Sequence, residues 1–206
     1  MSSLRIVLFA VAGLAFAGLA AVTAMSMIDA PRNQDALFSE PVAGIGGPFQ
    51  LVDQNGRAVT EADFSDKPKV IYFGFTFCPE ICPTTLFELS NLLEELGPAA
   101  DNLHVLFITV DPERDTPEMI GGYVGAFSDR ILGLSGTQDE VDAAVAAYRV
   151  YAARVPLENG GYTMDHTASV FLMNAQNQLV GTIAYGEAHD TALAKLRRLA
   201  GAGAGS

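Results

Sequence analysis

Residues 69–97, KVIYFGFTFCPEICPTTLFELSNLLEELG, decide the fold. Lys69 to Phe77 is β-branched and aromatic almost throughout, which predicts a strand buried on both faces. After it, Leu86, Leu89, Leu92, Leu93 and Leu96 recur at helical spacing, with Gly97 as the C-cap. The join between strand and helix holds both cysteines of the chain, Cys78 and Cys82, each followed by a proline. Such a junction suits reactive thiols, because unpaired amide hydrogens and the helix dipole stabilise a thiolate. Thiolate is also the form that binds metal.

Working outward, FQLVDQNGRAVT (residues 49–60) carries two short apolar runs around Asp53-Gln54-Asn55-Gly56, and Asn-Gly is a strong hairpin signal. His104 to Asp111 is a second buried strand, and Asp115-Thr116-Pro117-Glu118 opens a helix with Thr116 as N-cap. Ile131 to Leu134 predicts a short strand, and Gln138 to Tyr151 a long amphipathic helix. Thr167 to Met173 and Gln178 to Tyr185 flank residues 174–177 as a hairpin. Thr191 to Leu199 forms a last helix, with Asp190 as its N-cap, before a flexible tail at 201–206. This order of elements describes an α/β sandwich with a mixed sheet, the arrangement of thioredoxin-like domains, over residues 49–200.

The chain of 206 residues is 50% hydrophobic, ample for one packed core. Its formal charge of -12, with Lys195, Arg197 and Arg198 as the one basic cluster, argues against nucleic acid as a partner, because phosphate binding needs a basic footprint. Ile6 to Ile28 carries no charge. As a helix it would be about 34 Å long, enough to cross a hydrocarbon core of about 30 Å. Residues 1–28 are therefore expected to be a transmembrane anchor; the rival is a cleavable signal peptide, with Val22-Thr23-Ala24 as cleavage site. Residues 29–48, rich in proline, glycine and polar side chains, predict a tether. Either reading carries the domain across a membrane, where thiols can be oxidised. A short charged N-terminus without an arginine-rich presequence favours a bacterial inner membrane, with the domain in the periplasm.

Three residues, Pro79, Glu80 and Ile81, separate the cysteines, one more than in a thioredoxin-type dithiol. Four apart on a helical turn, Cβ atoms lie about 5 to 6 Å from one another, whereas a relaxed disulfide wants about 3.8 Å. A metal bridges the sulfurs without forcing contact, so the spacing tolerates redox and metal chemistry alike. A static disulfide is the blander choice, disfavoured because so short a loop constrains the unfolded chain little. Among the histidines, His104 opens a strand and His189 sits at a helix start, both structural positions. His166 differs: it lies in ENGGYTMDHTASVFLM, where a glycine-rich loop feeds into a strand and is free to bring an imidazole to the cysteine turn. Soft thiolates with one imidazole suit copper and disfavour magnesium or calcium. Zinc fits the ligand types, but a structural zinc site takes four protein ligands. Met164 offers a thioether although a packing role is the simpler one, and Asp165 offers an oxygen or a hydrogen bond to the ring.

FTFCPEICPTT, VDPERDTPE (110–118), AYRVYAARV (147–155) and DHTASVFLMN (165–174) together closely resemble the SCO/SenC family of membrane-anchored copper chaperones, in order, over residues 44–200. The resemblance implies a thioredoxin-like fold in which Cys78, Cys82 and His166 bind one copper ion and pass it to the CuA centre of cytochrome c oxidase subunit II. Another copper chaperone would act as donor. Many relatives carry aspartate where this chain has Glu80, which keeps the charge. Thioredoxins are weakened as relatives because no proline precedes the strand at Thr167, and peroxiredoxins because Thr76 lies two residues before Cys78 rather than four. The alternative of a different class is a thiol-disulfide oxidoreductase that reduces the cysteines of the oxidase subunit, with Cys78 as the attacking thiol.

Overall fold

The computed structural model describes residues 41–158 and 160–203. Along the chain the elements are β1 (Gln50–Asp53), β2 (Ala58–Thr60), a short 3-10 helix (Glu61–Phe64), β3 (Lys69–Gly74), α1 (Ile81–Leu96) and a second 3-10 helix (Gly97–Asn102). Then follow β4 (His104–Thr109), α2 (Pro117–Gly125), β5 (Ile131–Ser135), α3 (Gln138–Ala147), β6 (Ala152–Pro156), β7 (Tyr162–His166), β8 (Val170–Met173), β9 (Leu179–Ile183) and α4 (His189–Gly203). Seven strands form one sheet in the order β2-β1-β5-β4-β3-β8-β9. β3, β4 and β5 run parallel and the other pairs antiparallel, so the sheet is mixed as expected. β6 and β7 form a separate two-stranded ribbon.

The apolar run after Lys69 is the centre of the core: Val70, Ile71, Tyr72 and Phe73 have no exposed surface. Ile71 is flanked by Leu106 of β4 and Phe171 of β8. On α1 the leucines spaced for burial are the ones buried. That helix packs against α4, while α2 lies on β5 and α3 on β1. Thr116 caps α2 as expected, its hydroxyl accepting from the Met119 amide.

Several boundaries differ from the sequence expectation, each for a tertiary reason. β3 stops at Gly74, not Phe77. A Cβ at Gly74 would stand 2.7 Å from the Phe107 ring and 3.0 Å from Cys82 Sγ, so a close approach demands glycine there. Beyond it, the Thr76 amide and hydroxyl turn away from the sheet to Asp115, at 3.0 and 2.5 Å. The Cys78 amide then donates to Phe75 O and closes a turn. α3 ends at Ala147, not Tyr151, because Tyr148 is buried against Phe49 and Phe73 and donates to Asn177 Oδ1. Arg149, with φ of 52°, swings the chain out of the helix. α4 begins at His189, so Asp190 lies within its first turn rather than capping it, and residues 201–203 of the expected tail are helical.

The largest difference lies between residues 152 and 166. A loop was expected to deliver His166; instead β6 and β7 pair in register from Ala152↔His166 to Pro156↔Tyr162, and His166 is the last residue of a strand. At the other end, residues 41–48 of the expected tether lie on the domain: the Val42 amide donates to Leu179 O, Gly46 to Ala147 O, and Arg149 to Gly44 O. The expected anchor lies outside the described residues. Among the described residues no helix is long and apolar enough to cross a membrane.

Candidate metal centre

Cys78 follows the turn at the end of β3, and Cys82 is the second residue of α1. The two are thus not on one helical turn, as the spacing argument assumed, but on either side of the helix start. The free amide of Cys82 donates to Cys78 Sγ at 3.3 Å, the helix N-terminus serving an anion as its dipole dictates. Both thiols are free; Cys82 is buried and Cys78 half-buried, so Cys78 faces the outside of the site. Tyr72, without exposed surface, points its hydroxyl at Cys82 Sγ from below, at 3.5 Å.

The two thiols are shifted in opposite directions. Hydrogen bonding from Cys82 and from the Cys82 and Glu80 amides, with the nearby His166, pulls Cys78 down to about 5 against the effect of burial. The same bond to Cys78, and then burial, pushes Cys82 up. The outer thiol is thus favoured as the thiolate and the inner one disfavoured, each because of the other. Burial, and then the neighbouring Cys82, pushes the Tyr72 phenol up as well, so it stays a donor.

His166 completes the cluster from β7. Its Nδ1 lies 2.9 Å from Thr167 O, and since a carbonyl only accepts, Nδ1 carries the proton. In the neutral ring that leaves the lone pair on Nε2, which stands 3.3 Å from Cys82 Sγ. The ring is set edge-on to Phe75 and Tyr72, with centroids 5.7 and 6.2 Å away. The ligand atoms of Cys78, Cys82 and His166 all lie within 4.8 Å of one another, and among the described residues no other cysteine, histidine or carboxylate joins them.

The remaining candidates lie elsewhere. His104 pairs with Asp66, and His189 with Glu95. Met164 packs against the core, and Asp165 is exposed. Two contributors were missed in the sequence. Tyr72 was counted as core alone. Asp115, without exposed surface, accepts from Thr76 and from the Thr109 hydroxyl at 2.7 Å, and so fixes the backbone that leads into Cys78. Burial raises its pKa against those hydrogen bonds.

Fold and site together define a thioredoxin-like domain whose strand-to-helix dithiol is completed by an imidazole, a soft three-donor cluster. Residues 39–201 match the SCO1/SenC family, and the chain belongs to it. It is 35% identical over 175 residues to the human mitochondrial SCO1 homolog, covering 84% of this chain and 58% of that protein. The chain spans between about half and three-fifths of the curated plant and human relatives, 49% and 58%. Among solved structures, copper-bound ScoI of Bradyrhizobium japonicum is 46% identical with a TM-score of 0.70, covering 75% of this chain and 99% of that one. Copper-bound yeast Sco1 is 38% identical with a TM-score of 0.69, covering 75% of this chain and 87% of that one.

Proposed function

We propose that this protein binds one copper ion through Cys78, Cys82 and His166 and hands it to the CuA centre of cytochrome c oxidase subunit II. The observation that carries the proposal is the convergence of two thiols and one imidazole nitrogen within 4.8 Å. That donor set suits copper, whereas a structural zinc site takes four protein ligands. Copper-bound structures of relatives at 46% and 38% identity support the choice of metal. The half-buried Cys78 leaves one ligand open to an incoming partner thiolate, so the ion leaves by stepwise ligand exchange. Residues 6–28 would anchor the domain to a bacterial inner membrane with the site in the periplasm, and another copper chaperone would load it.

A second reading rests on Cys78 alone. An outward thiolate at a helix N-terminus, pulled down to about 5, is a competent nucleophile toward a disulfide. In that reaction Cys78 and Cys82 become a disulfide while two electrons and two protons convert a partner disulfide to a dithiol. Copper titration of the reduced protein separates the readings. One equivalent bound, and none by Cys78→Ser or Cys82→Ser, is the expected result; weak or non-stoichiometric binding would leave the dithiol with redox work only.

A further inference from the structure

The imidazole reaches the sulfurs from a ribbon that is not part of the main sheet, so something else must hold that ribbon in place. Arg114, in the segment between β4 and α2, has the geometry to do so. Its Nη1 donates to Tyr162 O at 3.0 Å, and its guanidinium stacks 3.9 Å from the centroid of the Tyr162 ring. Tyr162 is the first residue of β7, the strand that ends at His166. The guanidinium also lies 4.7 Å from the centroid of the ring of Phe77, the residue before Cys78. Arg114 Nε and the Tyr162 hydroxyl both donate to the buried carboxylate of Asp111, closing a ring of three side chains. One planar cation thus touches the cysteine turn, the β4–α2 segment and the histidine ribbon at once. A lysine could supply the charge but neither the fork nor the flat stack.

We propose that Arg114 is a positioning residue that latches the β6–β7 ribbon to the cysteine turn, holding His166 Nε2 at the sulfurs before metal arrives. The inference rests on the copper reading and deepens it. It makes copper affinity depend on Arg114 through His166, although Arg114 is not a ligand. A merely structural arginine would instead weaken binding whether or not the imidazole is present.

A double-mutant cycle in the reduced full chain distinguishes the two, using competition titration with copper(I). Arg114→Ala is expected to weaken binding by about tenfold or more, the usual scale for a group that orients a ligand. His166→Ala weakens it further, and adding Arg114→Ala to His166→Ala then changes nothing. An equal loss from Arg114→Ala in both backgrounds, or no loss in either, overturns the latch. Arg114→Lys is expected to behave like the alanine variant, and full recovery by lysine overturns it too. The metal-free protein gives an independent reading by amide hydrogen exchange. Arg114→Ala should speed exchange at residues 162–166 while Val70–Phe73 stay as protected as before; equal change in both, or in neither, contradicts the latch. Should His166→Ala leave copper affinity untouched, the copper reading has failed, and the exchange experiment still decides the latch by itself.

Discussion

Cys82 enters the site from a helix and a strand that the core surrounds, whereas His166 enters from a ribbon whose residues are half-buried or exposed. The inner sulfur lies beneath Gly74 and beside Tyr72, both buried, and moving it means moving the centre of the sheet. The imidazole is held by a carbonyl, two ring edges and the hydrogen bonds of a two-stranded ribbon. One half of the site is fixed by the fold, and the other is added to it. Under the proposed copper reading, this division would let the imidazole shift without disturbing the dithiol.

The comparison is broken most severely at Gly74. Gly74→Ala puts a methyl group against Phe107 and Cys82 Sγ, so stability should fall by about 1 to 3 kcal/mol as in other overpacked cores. Chemical denaturation checks this, and the cost should appear with or without copper. A glycine-sized tolerance there, with no change in the midpoint, would mean that the sulfur is less constrained than its surroundings suggest.

The strand-to-helix half was legible because its residues are apolar on every face, and a run such as Val70–Phe73 has one good use in a folded chain. The place of the two cysteines followed from that junction and from the scarcity of thiols, whereas His166 was singled out by its glycine-rich approach and by the family resemblance. The ribbon was not. Period-two alternation marks a strand with one buried face, and β6, half-buried at Ala152 and Ala153 and exposed from Arg154 to Pro156, has none to show. Nor does VDPERDTPE announce that Asp115 is buried beneath Thr76, a partner 39 residues earlier, or that Arg114 stacks on Tyr162. Those are tertiary pairings between polar residues, which local pattern does not encode.

A smaller effect sharpens the account of the core half at the start of β3. Lys69 has no exposed surface and donates to Phe64 O and Ala175 O, at 3.1 and 3.2 Å. Burial pulls its pKa down to about 8. The unfolded chain, with lysine near its ordinary value of about 10.4, binds the extra proton between those two limits. Stability contributed by this group should therefore rise as pH goes from about 8 toward about 10.4, where the buried charge is relieved. Comparing the pH dependence of urea midpoints in the wild type and Lys69→Met isolates that rise, which the variant should lack.

The smallest effect belongs to Tyr72. Removing its hydroxyl in Tyr72→Phe deletes one donor to Cys82 Sγ and leaves the ring, so copper affinity should fall by about fivefold, the worth of one hydrogen bond of about 1 kcal/mol. A loss as large as that from removing a ligand would place Tyr72 in the metal's own coordination rather than beneath it.

The most direct test of the divided site is to measure copper affinity and the rate of thiol-disulfide exchange side by side in His166→Ala. If the fold fixes the sulfurs and the ribbon adds the imidazole, affinity drops by more than about 100-fold while exchange at Cys78 stays within about twofold of the wild type. Loss of both together, or of neither, would contradict it.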